Sequence, residues 1–129
     1  MQKFTTFLMF SGRAEEAMNF YVSLFEGSRI VEMKKHGPGG HGAEGSVLHA
    51  TFSLGDQEFM AIDSAGHGFG FTPAVSIFVR CASVEELDRA FAALSEGGKV
   101  LMAAGKYPFA ERFGWTDDRF GVSWQLRLG

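Results

Sequence analysis

Apolar residues follow the same order twice along the chain: a strand-like run, a helical spacing of three or four, and three further strand-like runs. For the first half, the pattern predicts a strand at 4–10, a helix at 14–25, and strands at 28–35, 46–54 and 58–63. For the second half, it predicts a strand at 74–79, a helix at 84–94, and strands at 100–103, 111–117 and 122–128.

The two halves are also related residue by residue. Shifting the chain by seventy places residues 7–9 on 77–79, Tyr21 on Phe91, and 26–27 on 96–97. Such self-similarity indicates one supersecondary unit present twice. We therefore expect a single domain, residues 1–129, made of a repeat unit at 3–63, a connector at 64–73 and a second unit at 74–128.

Local signals mark the helix ends. Ser83 followed by Glu86 is a capping box, which satisfies free backbone N–H groups at the start of the second helix. Gly27 and Gly97 stand where the helices should end, because glycine adopts left-handed backbone easily. The predicted fold is α+β: two tandem βαβββ units form a curved mixed eight-stranded sheet, with the helices on its outer face and a concave cleft within.

Composition narrows the function classes. The chain has 129 residues with a net charge of -3 and scattered Lys and Arg, so a nucleic-acid partner is not expected. No window approaches the ~18 apolar residues of a membrane span, so no membrane partner is expected either. Cys81 is the one cysteine, and the N-terminus lacks a secretory pattern, which together favour a cytoplasmic protein.

Two runs carry a family resemblance. Residues 14–21 (AEEAMNFY) and 115–124 (WTDDRFGVSW), together with the βαβββ repeat, resemble the vicinal oxygen chelate superfamily, which includes glyoxalase I, extradiol dioxygenases and bleomycin-resistance proteins. The second run resembles the PhnB-like branch, often labelled 3-demethylubiquinone-9 3-methyltransferase-like. The resemblance covers nearly the whole chain and implies the glyoxalase/bleomycin resistance/dihydroxybiphenyl dioxygenase fold. Methyl transfer is not expected, since no glycine-rich strand-to-helix turn for a nucleotide-like donor is present.

The resemblance also implies where a metal would bind. Metal enzymes of the superfamily hold one divalent ion with His and Glu from four strands. Carried over through the helix motifs, these positions fall on Thr6, Ser76, Gln125, and either Ala61 or Asp63. Hydroxyl and amide groups replace charged carboxylate or imidazole ligands poorly. We therefore expect no metal and no cofactor.

The same positions suggest a binding site for a small molecule. Thr6, Ser76 and Gln125 are expected to point into the cleft and bind a polar ligand, or else to pair with one another or with water. Four further residues complete the predicted ligand-binding set: Asp63, His49, Trp115 and Trp124. Trp115 and Trp124 could line the pocket, join a dimer interface or, for Trp124, belong to the core.

His49 is also the one catalytic candidate, as a general base, with a hydrogen-bonded structural histidine as the alternative. His36 and His41 in the loop 36–42 and His67 in the connector are candidates for metal binding, with solvent-facing loop residues as the simpler interpretation.

Arg112 and Arg119 are candidates for binding an anionic group, with a locally paired turn at 117–119 as the alternative. For Cys81, a small buried thiol is a simpler interpretation than a nucleophile.

Three functions remain open. The first is a metal-free protein that binds a small, partly aromatic molecule in its cleft. The alternative is a lyase, isomerase or oxygenase-type enzyme with a non-standard metal site or a histidine-based site. The third is a homodimer in which the aromatic surface serves association.

Overall fold

The computed structural model describes residues 2–129, and it divides into two compact units between Gly68 and Phe69, inside the predicted connector. Unit one contains β1 (Thr6–Phe10), α1 (Ala14–Leu24), β2 (Arg29–Lys35), β3 (Val47–Leu54) and β4 (Gln57–Asp63). Unit two contains β5 (Ser76–Arg80), α2 (Val84–Ser95), β6 (Lys99–Tyr107), β7 (Ala110–Asp117) and β8 (Ser123–Leu128).

This element order confirms the predicted tandem βαβββ units. The strand orders are β1-β4-β3-β2 and β5-β8-β7-β6. The first strand of each unit pairs in parallel with the last, and the other pairs are antiparallel. Hydrogen bonds thus join the eight strands into two mixed sheets of four, called here sheet one and sheet two.

The two helices begin by different means. At α2, Ser83 Oγ accepts a hydrogen bond from the Glu86 N–H at 3.1 Å, and Glu86 Oε1 accepts one from the Ala82 N–H at 2.6 Å, so the predicted capping box is present with its return bond one residue earlier. At α1, the N-cap Arg13 makes no side-chain cap, and a carboxylate from β4 replaces it. Neither helix is long and apolar enough to cross a membrane.

The strand predictions hold to within two residues, except at β6. This strand continues to Tyr107 instead of ending at Ala103, and a two-residue connection leads into β7. Its pairing with β7 has three register shifts. Such bulges are common on edge strands, and they interrupt the apolar alternation from which strand length is predicted.

Each helix packs on one face of its own sheet. In unit one, Tyr21 of α1 lies 6.2 Å from Phe52 of β3 between ring centroids, and Phe52 stacks on Phe59 of β4 at 5.2 Å. In unit two, Trp124 of β8 is fully buried, and a Cβ on Gly114 of β7 would lie 2.5 Å from the α2 ring of Phe91. Because side chains alternate along a strand, the residues between these face the opposite side, called here the helix-free face.

The spacing of seventy does not preserve these faces. It holds for the helices, where Tyr21 and Phe91 both pack toward their sheets. On the strands, Leu8 is buried on the helix side of sheet one, whereas Phe78, seventy residues later, is 46% exposed on the helix-free face of sheet two. The strand and the helix of unit two differ by one residue in their spacing from unit one. This difference explains the change of face, because a shift of one residue moves every side chain of a strand to the opposite face of the sheet.

Candidate functional site

The helix-free face of sheet two brings polar and aromatic side chains into two adjacent rows. Cα register places Ser76 of β5 beside Ser123 of β8, which lies beside Asp117 of β7. The next row is Phe78, Gln125 and Trp115 on the same three strands. These six residues form the candidate site.

Hydrogen bonds connect the two rows. Gln125 Nε2 donates to Ser76 Oγ at 2.7 Å, and Trp115 Nε1 donates to Ser123 Oγ at 2.8 Å. Each bond orients a side chain across the face while Ser76, Gln125 and Trp115 stay half-buried. The structure thus brings together three of the residues predicted from sequence, and the amide oxygen of Gln125 is left to accept a further hydrogen bond.

The adjacent carboxylates Asp117 and Asp118 have opposite environments. Asp118 is buried, and its two oxygens accept from the Phe120 N–H, the Val122 N–H and Trp124 Nε1 at 2.8 to 3.0 Å. Asp117 Oδ1 is also buried, yet it has no hydrogen-bond partner among residues 2–129. Asp118 therefore holds the β7–β8 turn, whereas Asp117 retains an unused acceptor.

Trp124 lies in the core of unit two. Its side chain is fully buried on the helix side of sheet two, with Nε1 bonded to Asp118. This placement favours the core alternative over the pocket wall. The run that carries the family resemblance thus combines structural residues, such as Trp124 and Asp118, with three residues of the helix-free face, Trp115, Asp117 and Ser123.

Two of the predicted site residues of unit one, Thr6 and Asp63, lie on the helix side of sheet one. Thr6 alternates with the buried Leu8 and Phe10 and is itself exposed on the helix side of β1. Asp63 Oδ1 accepts from the Gly12 and Ala14 N–H groups at 2.8 and 2.9 Å, and its Oδ2 accepts from Val47 at 2.9 Å. Asp63 therefore caps α1 and ties it to β3. Thr6 and Ser76 do not occupy equivalent positions.

His49 has a partner that the sequence did not reveal. Its Nδ1 lies 2.6 Å from Glu32 Oε1 on the neighbouring strand β2, and both side chains are partly exposed. A carboxylate at Nδ1 leaves Nε2 to accept a proton. The β2–β3 register has a shift beside Glu32, so cross-strand pairing could not be read from residue spacing.

The rest of the helix-free face of sheet one is mainly apolar near its parallel strand pair. Phe7 lies beside Met60, and Met9 beside Ile62. Hard divalent ions do not prefer thioethers or aromatic rings as ligands. In unit two, the helix-free face of β5 and β8 presents hydroxyl groups and one amide, which are also weak ligands for such ions. Residues 2–129 contain no group of three or more His, Cys, Asp or Glu side chains arranged to hold a metal ion.

The other histidines occupy loops. The backbone of His36 closes the base of the loop 36–42. Its N–H donates to the Ser46 carbonyl, and its carbonyl accepts from the Gly45 N–H, each at 2.9 Å. His41 is exposed within the loop. His67 Nε2 lies 2.9 Å from Ser11 Oγ.

The arginines and the thiol belong to the α2 side of unit two or to its turn. Arg112 Nε donates to Asp88 Oδ1 of α2 at 2.7 Å, and Arg119 lies over the Phe120 ring at 4.6 Å. The Cys81 thiol is buried. Burial, followed by the negative charge of Glu86, raises the pKa of Cys81 to about 11.

This fold and this tandem arrangement are shared with fosfomycin resistance proteins of known structure. The manganese(II) complex of the fosfomycin resistance protein FosX from Listeria monocytogenes shares it with a TM-score of 0.69, covering 100% of this chain and 94% of that one at 13% identity. A family model described as 3-demethylubiquinone-9 3-methyltransferase matches residues 2–127. The chain belongs to this family, and it is PhnB-like.

Similar proteins come from several bacteria. The PhnB protein from Bacillus cereus is 56% identical, with a TM-score of 0.97 over 99% of this chain and 100% of that one. Protein PA1353 from Pseudomonas aeruginosa is 30% identical, with a TM-score of 0.86 over 99% and 98%. Protein YjdN of Escherichia coli K12 is 28% identical over 83 residues, which are 64% of this chain and 56% of YjdN.

Proposed function

We propose that this protein binds a small, partly aromatic organic molecule on the helix-free face of sheet two, without a metal ion. The observation that carries the proposal is the pair of hydrogen-bonded rows, in which Ser76, Gln125 and Trp115 stand half-buried beside the exposed ring of Phe78. Aromatic surface with a few oriented polar groups is the usual composition of a ligand site.

Binding can be tested directly. We expect a thermal-shift screen of small aromatic compounds to raise the unfolding temperature for some of them, because a ligand of the native state stabilises it. NMR chemical-shift changes should then concentrate on Trp115 and Gln125. Changes confined to unit one, or no stabilisation by any compound of a broad panel, would contradict the proposal.

The metal-free part of the proposal rests on the available ligands. The positions that face away from the helices on the parallel strand pairs include Phe7, Met60, Ser76 and Gln125, and none supplies a carboxylate or an imidazole. We expect elemental analysis of tag-free protein to find well below one ion per chain. Stoichiometric zinc, nickel, manganese or iron that resists dialysis would refute this part.

A second candidate function is an enzyme that uses His49 as a general base, a metal-free form of the lyase or isomerase alternative. The specific observation is the 2.6 Å contact between His49 Nδ1 and Glu32 Oε1, which orients the imidazole. Proton abstraction next to a carbonyl is the reaction class that such a pair suits best.

Deuterium incorporation tests the enzyme candidate. Dihydroxyacetone in D₂O would exchange its carbon-bound hydrogens faster with the wild-type protein than with His49→Gln, as measured by NMR. His41→Gln, in the exposed loop, is the matched control and should retain the wild-type rate. Equal rates for all three proteins would eliminate His49 as the base.

We do not propose methyl transfer, despite the description of the family. The connection from β1 to α1 is only residues 11–13, and the Gly12 N–H, which a glycine-rich turn would direct at the bound donor, is already bonded to Asp63. S-adenosylmethionine should therefore leave the unfolding temperature unchanged, and a saturable increase would reopen this activity.

We further propose that the protein acts as a cytoplasmic homodimer. Large apolar side chains at the surface support association, among them Phe4, Phe69 and Val75, which are 61 to 80% exposed. Light scattering at low micromolar concentration should give twice the chain mass of 14.1 kDa. A monomer at that concentration would contradict the dimer and leave ligand binding untouched.

A further inference from the structure

Asp117 stands apart from the other polar groups of the helix-free face of sheet two. It lies in the row Ser76, Ser123, Asp117, and its Oδ1 is buried without a hydrogen-bond partner among residues 2–129. Buried polar atoms in native proteins almost always have a partner, so an exception calls for an explanation.

No neighbouring donor lies within hydrogen-bond distance of Asp117 Oδ1 among residues 2–129. Ser123 Oγ accepts from Trp115 Nε1 and Ser76 Oγ accepts from Gln125 Nε2, and the O–H that each serine keeps does not reach this oxygen. Lys99 is the register partner of Asp117 on β6, yet no ion pair joins the two within 4.0 Å in the described part of the chain. The structure therefore offers this carboxylate an acceptor role without supplying the donor.

We propose that Asp117 anchors the ligand of this site and that the ligand is an arylalkylamine or a related ring compound that carries an N–H or O–H donor on a short chain. This inference rests on the proposed binding function and names its ligand class. A carboxylate oxygen selects donors and favours cationic ones, because charge-assisted hydrogen bonds are the stronger kind.

The neighbouring row defines the rest of the ligand. Phe78 and Trp115 present rings, and Gln125 presents an amide oxygen, one row away from Asp117. Residues of the same face on one strand are roughly 6–7 Å apart, about twice the rise per residue. A ring lying over Trp115 with a donor on a two-carbon chain spans this separation.

Three probes of nearly equal size test the ligand class: 2-phenylethylamine, 2-phenylethanol and 3-phenylpropionate. We expect the wild-type protein to bind the amine best and the carboxylate worst, as measured by NMR titration of the Trp115 indole signal. Asp117→Asn should weaken amine binding by about tenfold and remove the preference over the alcohol. Asp56→Asn, in the exposed β3–β4 turn, makes the same change in net charge and should have no effect.

A second measurement separates ligand binding from folding. An acceptor held without a partner destabilises the unliganded protein, so Asp117→Asn, which removes the buried charge, should unfold at the same temperature as wild type or higher. A clearly lower unfolding temperature would show that Asp117 has a structural partner in solution and would overturn the proposal.

The binding results distinguish the remaining failures. Equal amine affinity in wild type and Asp117→Asn, or a preference for 3-phenylpropionate, would overturn the role of Asp117 while binding on this face stands. If none of the three probes binds at millimolar concentration, the ligand class is wrong. The broad screen described above then decides separately whether the face binds any small molecule.

Discussion

The helix-free faces of the two sheets share a strand order and differ in chemistry. On sheet one, the parallel strands present Phe7, Met9, Met60 and Ile62, and the polar pair formed by His49 and its glutamate lies on the antiparallel strands. On sheet two, the parallel strands themselves present serines and an amide. The repeat has therefore kept its architecture while only one unit carries oriented polar groups where the parallel strands meet.

The two units also use hydrogen-bonded carboxylates differently. Asp63 in unit one joins the last strand to the start of α1, whereas Asp118 in unit two closes the final turn and receives the indole N–H of Trp124. Unit two caps its helix with Ser83 instead, so β8 does not need a carboxylate at its end.

The largest expected effect separates these two carboxylates. Asp118→Ala should lower the free energy of unfolding by about 4 kcal/mol, because it leaves three donors unpaired beside a fully buried Trp124. Asp63→Ala should lower the free energy of unfolding by about 2 kcal/mol, because Asp63 is more exposed than Asp118. Urea unfolding measures both, with Asp56→Asn as control, and a loss under about 1 kcal/mol for Asp118→Ala would contradict its role.

The next effect tests the helix side of sheet two. Gly114→Ala should destabilise the protein by about 2 kcal/mol, because the new methyl group would overlap the ring of Phe91. Gly105→Ala on the edge strand β6 is the matched control, with no atom within 4 Å of its Cβ, and should be nearly neutral. If both variants unfold alike in urea, α2 does not pack on this face as described.

A smaller effect tests which unit binds. Gln125→Leu keeps the side-chain size but removes the amide, so it should weaken binding of 2-phenylethylamine by about fivefold, the equivalent of one neutral hydrogen bond. Thr6→Val, at the position predicted from the spacing of seventy, should leave affinity unchanged because Thr6 lies on the helix side. The reverse result in NMR titrations would move the site to unit one.

The smallest effect concerns the thiol next to α2. With a pKa raised from 9.0 to about 11, Cys81 is protonated at pH 8, so alkylation by iodoacetamide should be very slow there and accelerate as the pH rises through 10 toward that value. Glu86→Gln removes the adjacent negative charge and should shift this rate profile to lower pH. Rapid alkylation of the folded wild type at pH 8 would contradict the buried environment.

Element type and order could be predicted from the sequence because they depend on local spacing. Apolar periodicity, the capping box at Ser83 and glycines 27 and 97, which both have positive φ, identified the helices closely. The run near the C-terminus also identified the family. Ser76 and Gln125, for which pairing was the alternative to ligand contact, are bonded to each other in the structure.

Several site residues could not be assigned in this way. Thr6 was placed by a spacing that is valid for helices and fails by one residue on strands, and the contact of His49 with Glu32 depends on a bulged register. Asp117 and Asp118 are consecutive aspartates. No local sequence pattern shows that Asp118 accepts from three donors whereas Asp117 has an oxygen without a partner among residues 2–129.

The sequence by itself determined that the chain is a tandem βαβββ protein of the PhnB-like branch, since periodicity and motif are local properties. Only the tertiary structure decided which face each strand residue occupies and which polar atoms find partners. Both depend on register between strands distant in sequence, where one residue of offset exchanges core for surface.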